Sequence, residues 1–229
     1  MDTTGLLALV GGNEWTEGCT FDAALLEASG GKEVVVLPTA AAYQHPERVV
    51  LRAAEWFADL GGQVEGLMVV DRASANDPGM AAVVRAARFV YLAGGSPLHL
   101  RSVLKDSATF AALAEAWRAG TVVAGSAAGA MVLTDPMVDP RGGALTVGLG
   151  LVDQLVVVPQ FGDMHEDAHG QKLERTVALA PDGLPVVGIP ERTVLWRDGE
   201  GHWSYEGVTP PVVFVDGDRR EGLDALQPH

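Results

Sequence analysis

The chain has 229 residues, 48% of them apolar, with 16 basic and 30 acidic residues and a net charge of −14. That size fits one domain, 1–229, with ample material for a core, and the charge argues against DNA, RNA and anionic membranes as partners, because binding to those surfaces relies on clustered Lys and Arg. A single cysteine, Cys19, excludes an intramolecular disulfide framework, and with no basic n-region at Met1 and no run near the ~20 apolar residues of a spanning helix, the expected location is cytoplasmic.

Short apolar runs alternate with amphipathic stretches. Leu6–Val10 predicts a first strand, leaving through Gly11-Gly12-Asn13-Glu14. Phe21–Ser29 predicts a helix, Glu33–Leu37 a second strand and Pro46–Leu60 a helix with proline at its start, where a missing N–H costs little. Val64–Val70 predicts a third strand, Asp77-Pro78 opens a helix to about Arg88, and Phe89–Ala93 a fourth strand leaving through Gly94-Gly95-Ser96-Pro97. Helices over Leu98–Lys105 and Ala108–Arg118 precede a buried strand, sharp turn and helix start in Thr121–Ala130. The second half is less regular. Strands are expected at Leu155–Val158, Pro185–Ile189 and Thr193–Arg197, with a mainly helical stretch over Asp163–Ala180. His202–Glu206 and Pro211–Val215 read as a closing antiparallel hairpin.

Strands alternating with helices and punctuated by glycine indicate an α/β fold with a doubly wound, mostly parallel sheet flanked by helices and a C-terminal β-hairpin. Ligands in such sheets sit at the carboxyl ends of the strands. Gly11–Glu14, Thr39, Gly94-Gly95-Ser96 and the turn at Ala127 should therefore converge on one crevice.

The turn Gly125-Ser126-Ala127-Ala128-Gly129-Ala130 has the small residues that a strained strand-to-helix elbow demands, and such an elbow ordinarily presents a nucleophile at its centre. Here the centre is Ala127. With Gly11-Gly12-Asn13-Glu14, Leu92–Pro97, Val156–Phe161 and Val187-Gly188-Ile189-Pro190-Glu191, this turn resembles the serine peptidase family of aspartyl dipeptidase (peptidase E) and cyanophycinase. The resemblance runs from about Leu6 to Val215. It implies a fold similar to class I glutamine amidotransferases (flavodoxin-like) and an ancestral hydrolysis of small acidic peptides through an acyl-enzyme.

The departures fall on the chemistry. The family's serine maps to Ala127, its histidine to Gln160, and the aspartate of its Gly-Ile-Asp-Glu segment to Pro190. Asp135, or Asp139, is the remaining candidate acid. A triad needs a nucleophile, a base to take its proton and an acid to orient that base, and two of the three are absent. Gln160 can donate and accept hydrogen bonds but does not shuttle a proton near neutral pH. Ser126 is expected to point away from the crevice with its hydroxyl on nearby backbone. Gly94, Gly95, Ser96 and Ala128 keep the backbone of an anion or carbonyl-oxygen pocket, so Gly94, Gly95, Ser96, Ser126 and Ala128 are the candidate ligand-binding residues.

His165-Glu166-Asp167-Ala168-His169 is a His-Glu-x-x-His string, which on a helix puts two imidazoles on one face for Zn²⁺. Asp167 inside the pair, Gly170 behind it and the lack of a well-spaced third ligand (Glu191 and Asp163 are the candidates) favour structural or solvated histidines. Neither a metal nor another cofactor is expected. The leading reading is a family member without triad catalysis that binds a small acidic peptide or carboxylate, with no nucleic acid or membrane partner. A homo-oligomer is compatible with it. The rivals are a hydrolase with a relocated or metal-assisted mechanism through His165 and His169, and a scaffold or partner subunit.

Overall fold

The computed structural model describes residues 4–161 and 168–228. Five parallel strands, β1 (Leu7–Val10), β2 (Glu33–Leu37), β3 (Gln63–Gly66), β4 (Phe89–Leu92) and β5 (Val122–Ser126), form most of a seven-stranded sheet. Its order is 1-5-4-2-3, and Thr193–Arg197 and then Trp203–Gly207 add antiparallel strands beside β1. The mostly parallel α/β architecture expected from the alternation of elements is thus present.

Both faces of this sheet are covered, which is why its central strands are apolar throughout. Successive side chains of a strand point to opposite faces. Leu7, Leu9, Val35, Leu37, Val90, Leu92 and Val123 join one buried cluster, while Ala8, Val10, Val34, Val36, Phe89, Tyr91, Val122 and Ala124 join another. The second cluster packs against helices α1 (Phe21–Ala28) and α2 (Pro46–Asp59). The first takes residues of α4 (Pro78–Ala86), α5 (Pro97–Leu104), α6 (Ala108–Arg118) and α7 (Ala128–Leu133), and Ala75 of the short α3 (Arg72–Ala75). It continues into a four-stranded sheet of Val156–Pro159, Val186–Ile189, Val212–Val215 and Asp218–Arg220, over which α8 (Ala168–Leu179) lies.

Three expectations need correction. The third strand ends at Gly66 rather than Val70. A Cβ at Gly66 would lie 2.4 Å from Val50 Cγ1 of α2, and beyond a last bond from Leu67 N–H to Val36 O the chain turns so that Leu67 and Val69 enter the core. Helix α3 was not expected, although its Asp71–Ser74 capping box is a local signal. The C-terminal hairpins also have different partners from those expected. Trp203–Gly207 pairs with Thr193–Arg197 in the large sheet, and Val212–Val215 pairs with Val186–Ile189 and Asp218–Arg220 in the small one. Among the described residues no helix is long and apolar enough to cross a membrane.

Candidate functional site

The carboxyl ends of β1, β4 and β5 lie side by side, and each is followed by a turn that only small residues permit. After β5, Ala127 has φ 45° and ψ −100°, a backbone conformation costly for a residue with a Cβ. It is held on both sides: its N–H donates to Val10 O at 2.9 Å and its carbonyl accepts from Met131 N–H at 3.0 Å. A Cβ on Gly125 would lie 2.6 Å from Gly129 C, and one on Gly129 would lie 2.4 Å from Leu92 O. Glycine at these two places is what lets α7 start directly against β4 and β5.

After β1, Gly12 turns back with φ 120°, and a Cβ there would meet Gln160 Cγ at 2.9 Å and Ala127 Cβ at 3.6 Å. Gln160 is fixed by its own N–H, which donates to Gly11 O at 2.7 Å. The bare edge of Gly12 therefore meets both the elbow residue Ala127 and Gln160. Ala127, Gln160, Gly94 and Gly95 share one cavity of about 480 Å³, with Asn13, Glu14, Gln44, Arg48, Arg52 and Glu191 among its other walls.

Glu14 is the best-connected group in this wall. It is buried, and its Oε1 accepts from Gly94 N–H at 3.2 Å and lies 3.7 Å from Arg52 Nη2. Its Oε2 accepts from the Ser126 hydroxyl at 2.8 Å. This corrects the expectation for Ser126, whose hydroxyl serves a carboxyl group 112 positions away rather than nearby backbone. A hydroxyl bonded to a carboxyl group is a pairing that acyl transfer can use, but Ser126 is fully buried and offers no surface for attack. Gly94 N–H is already committed, leaving the amides of Gly95 and Ala128 without a partner among the described residues. Ser96, expected at the ligand, instead caps α5 by accepting from His99 N–H at 3.3 Å.

Neither candidate acid lines the cavity. Asp135 Oδ1 accepts from Gly148 N–H at 2.9 Å, and its carbonyl accepts from Gln154 N–H, so the residue orders the loops around it. Asp139 is chelated by Arg141 at 2.6 and 3.0 Å, and the guanidinium pulls its carboxyl down to about 2. His165 and the His169 side chain lie outside the described residues, as does Asp163. Glu191 lies in the crevice wall. Elsewhere Asp198, Glu200 and His202 could together offer three metal-ligand atoms, but Asp198 already closes its own turn, accepting from Glu200 N–H and His202 N–H at 2.9 Å each.

Helix α2 supplies the feature that the sequence reading missed. Arg48, Arg52 and Trp56 recur every fourth residue and so share one face. Arg48 and Arg52 reach the cavity, Arg52 lies 5.7 Å over the Trp15 ring, and Trp56 Nε1 donates to Asp22 Oδ2 at 2.9 Å. Arg48 has no side-chain partner among the described residues. Asp22 is fully buried, and its burial, aided by the nearby charge of Glu14, pushes its carboxyl up to about 8 against the opposing Trp56 bond. Beside it the Trp15 Nε1, Asp22 Oδ1 and Tyr91 hydroxyl atoms are buried without a protein partner.

The cavity thus offers the Ala127 methyl group, the neutral Gln160 amide, the cationic Arg48 and Arg52, the carboxyl groups of Glu14 and Glu191, and the unpaired Gly95 N–H. Arg48 and the Gly95 N–H can receive carboxylate or carbonyl oxygens, and the side chains of Ala127 and Gln160 carry no atom that attacks and none that takes a proton near neutral pH.

Known proteins of similar sequence and fold identify the family. The curated relatives include the cyanophycinase of Synechococcus elongatus, 26% identical over 209 residues, which cover 86% of this chain and 64% of that protein. The chain therefore spans less than two thirds of that relative's length. The cyanophycinase of Trichormus variabilis is 27% identical over 226 residues, covering 93% of this chain and 74% of that protein. Among solved structures, a peptidase from an acI-B1 actinobacterium superposes with a TM-score of 0.82 at 26% identity, covering 96% of this chain and 94% of that one. A putative peptidase E protein from Listeria monocytogenes EGD-e shares the fold, with a TM-score of 0.68 at 18% identity over 90% of this chain and all of that one. The model of peptidase family S51 matches residues 6–203, and the chain belongs to that family.

Proposed function

We propose that this S51 chain binds a small acidic peptide or carboxylate in the Ala127 crevice and does not turn it over by serine hydrolysis. The observation that carries the reading is the convergence of Ala127 and Gln160 on one open cavity. The two positions where the family places nucleophile and base still face each other across Gly12, and both are chemically inert. The cavity was not filled by apolar side chains when that chemistry was lost. Arg48, without a side-chain partner among the described residues, and the unpaired amide of Gly95 supply the complement to an anionic or carbonyl oxygen.

Thermal-shift and calorimetric titration with aspartate and short acidic peptides tests the binding. Saturable binding that weakens in Arg48→Ala supports the reading. The absence of any shift across the panel favours the scaffold role. Peptide turnover lost on adding a chelator would favour the metal-assisted hydrolase.

A further inference from the structure

A second cavity lies away from the crevice, between α8 and the turn at residues 139–143. It measures about 360 Å³ and is lined by Arg141, Gly142, Gln171, Lys172 and Arg175, with no acidic residue in its wall among the described residues. We propose that this cavity is a binding site for a small phosphate-bearing ligand.

The cavity is built by a latch between its two walls. Asp139 O accepts from Gly142 N–H at 3.3 Å and from Gly143 N–H at 2.9 Å, closing the turn. The Thr176 hydroxyl is buried and lies 2.8 Å from both Gly143 O and Lys172 O, pinning the turn to the helix. Gly143 has φ 76°, and a Cβ there would meet Lys172 O at 2.9 Å, so only glycine brings the turn this close. On α8, Gln171 and Arg175 are one turn apart and Lys172 lies between them, which puts all three on the latched side.

The charges there are unbalanced. Arg52, Arg85 and Arg141 each meet a carboxylate in this acidic chain. Lys172 and Arg175 meet none among the described residues. Lys172 is also half-buried, and desolvation lowers its pKa below the ordinary lysine value. Arg141 gives Nε and Nη2 to Asp139, leaving Nη1 for another acceptor. Two unpaired cations, a half-used guanidinium and the Gln171 amide all offer donors, and no carboxyl group stands among the described lining residues to meet them. A phosphoryl group, with several anionic oxygens, matches such a donor set better than a single carboxylate does. The overall charge of −14 disfavours a polyanion such as nucleic acid, which confines the reading to a small ligand.

The test is calorimetric titration of the full chain with inorganic phosphate and with pyrophosphate at low ionic strength, with aspartate as the carboxylate control. The expected result is one saturable site, weakened about tenfold or more in the Lys172→Ala/Arg175→Ala variant, retained in Lys172→Arg, and unaffected by Arg48→Ala in the crevice. An unchanged melting temperature in the double variant would show that the fold is intact. No binding at millimolar phosphate, equal binding in the double variant, or aspartate binding as tightly at this cavity would each overturn the proposal.

Discussion

The Ala127 crevice and the α8 cavity are built in opposite ways. The crevice is backbone-made: Gly12, Gly94, Gly125 and Gly129 set its shape, and the strained Ala127 is held by main-chain bonds to Val10 and Met131. The α8 cavity is side-chain-made, with its character residing in Arg141, Lys172 and Arg175. The contrast separates the turns that hold the framework from the side chains that line it. Replacing a serine by alanine or a histidine by glutamine leaves the packing of turns against strands intact. Altering the glycines does not.

Changes to the crevice's glycine framework and to the buried groups behind it should therefore move stability, and changes to the cationic side chains of either cavity should move only ligand binding. The largest effect is expected at Asp22. Burial raises its carboxyl from its ordinary value of 3.8 to about 8, so between those values the folded chain keeps a proton that the unfolded chain has lost. The stability this group contributes is complete below pH 3.8, is lost as pH rises through the window, and is flat above about 8. Its slope approaches about 1.4 kcal/mol per pH unit. Urea unfolding across that range should show the fall in the native chain, and Asp22→Asn should flatten it. An equal slope in the variant would remove Asp22 as its source.

Next in size is Gly125→Ala, which sets a methyl group against the Gly129 backbone and should cost about 1–3 kcal/mol in urea unfolding. Lys172→Ala/Arg175→Ala, by contrast, should stay within about 0.5 kcal/mol of the native chain for each residue. If the two variants lose stability equally, the distinction between backbone-made and side-chain-made sites fails. Arg48→Ala should weaken acidic-peptide binding about tenfold, or ~1.4 kcal/mol, without moving the melting temperature. The smallest effect is expected from Ala127→Gly. Relief of the strained φ competes with the greater freedom of glycine in the unfolded chain, for a net gain of up to about 1 kcal/mol.

The first five strands and all of their helices except α3 were legible because their signals are local: short apolar runs, helical spacing, and glycine or proline at the joints. The elbow was legible for the same reason, since its small residues are contiguous. Strand pairing near the C-terminus was not, because the choice of partner depends on which sheet has a free edge. Nor was the Ser126–Glu14 bond, which joins the ends of two strands that are neighbours only in the folded sheet. Asp135 had the chemistry of a triad acid, but only the fold shows it serving Gly148. Arg48 and Arg52 were readable as a helical stripe, yet nothing in their spacing says that α2 turns that stripe toward the crevice. Bulk charge was blind to three cations that the fold gathers from two segments.

The most direct measurement follows one sample through both halves of the account. The native chain is titrated calorimetrically with a short Asp-initiated peptide, and the same sample is then resolved by chromatography. Saturable heat with the peptide recovered intact is the expected result. Stoichiometric or catalytic loss of the peptide, with release of its constituent amino acids, would contradict the reading of Ala127 and Gln160 as a binding site without turnover.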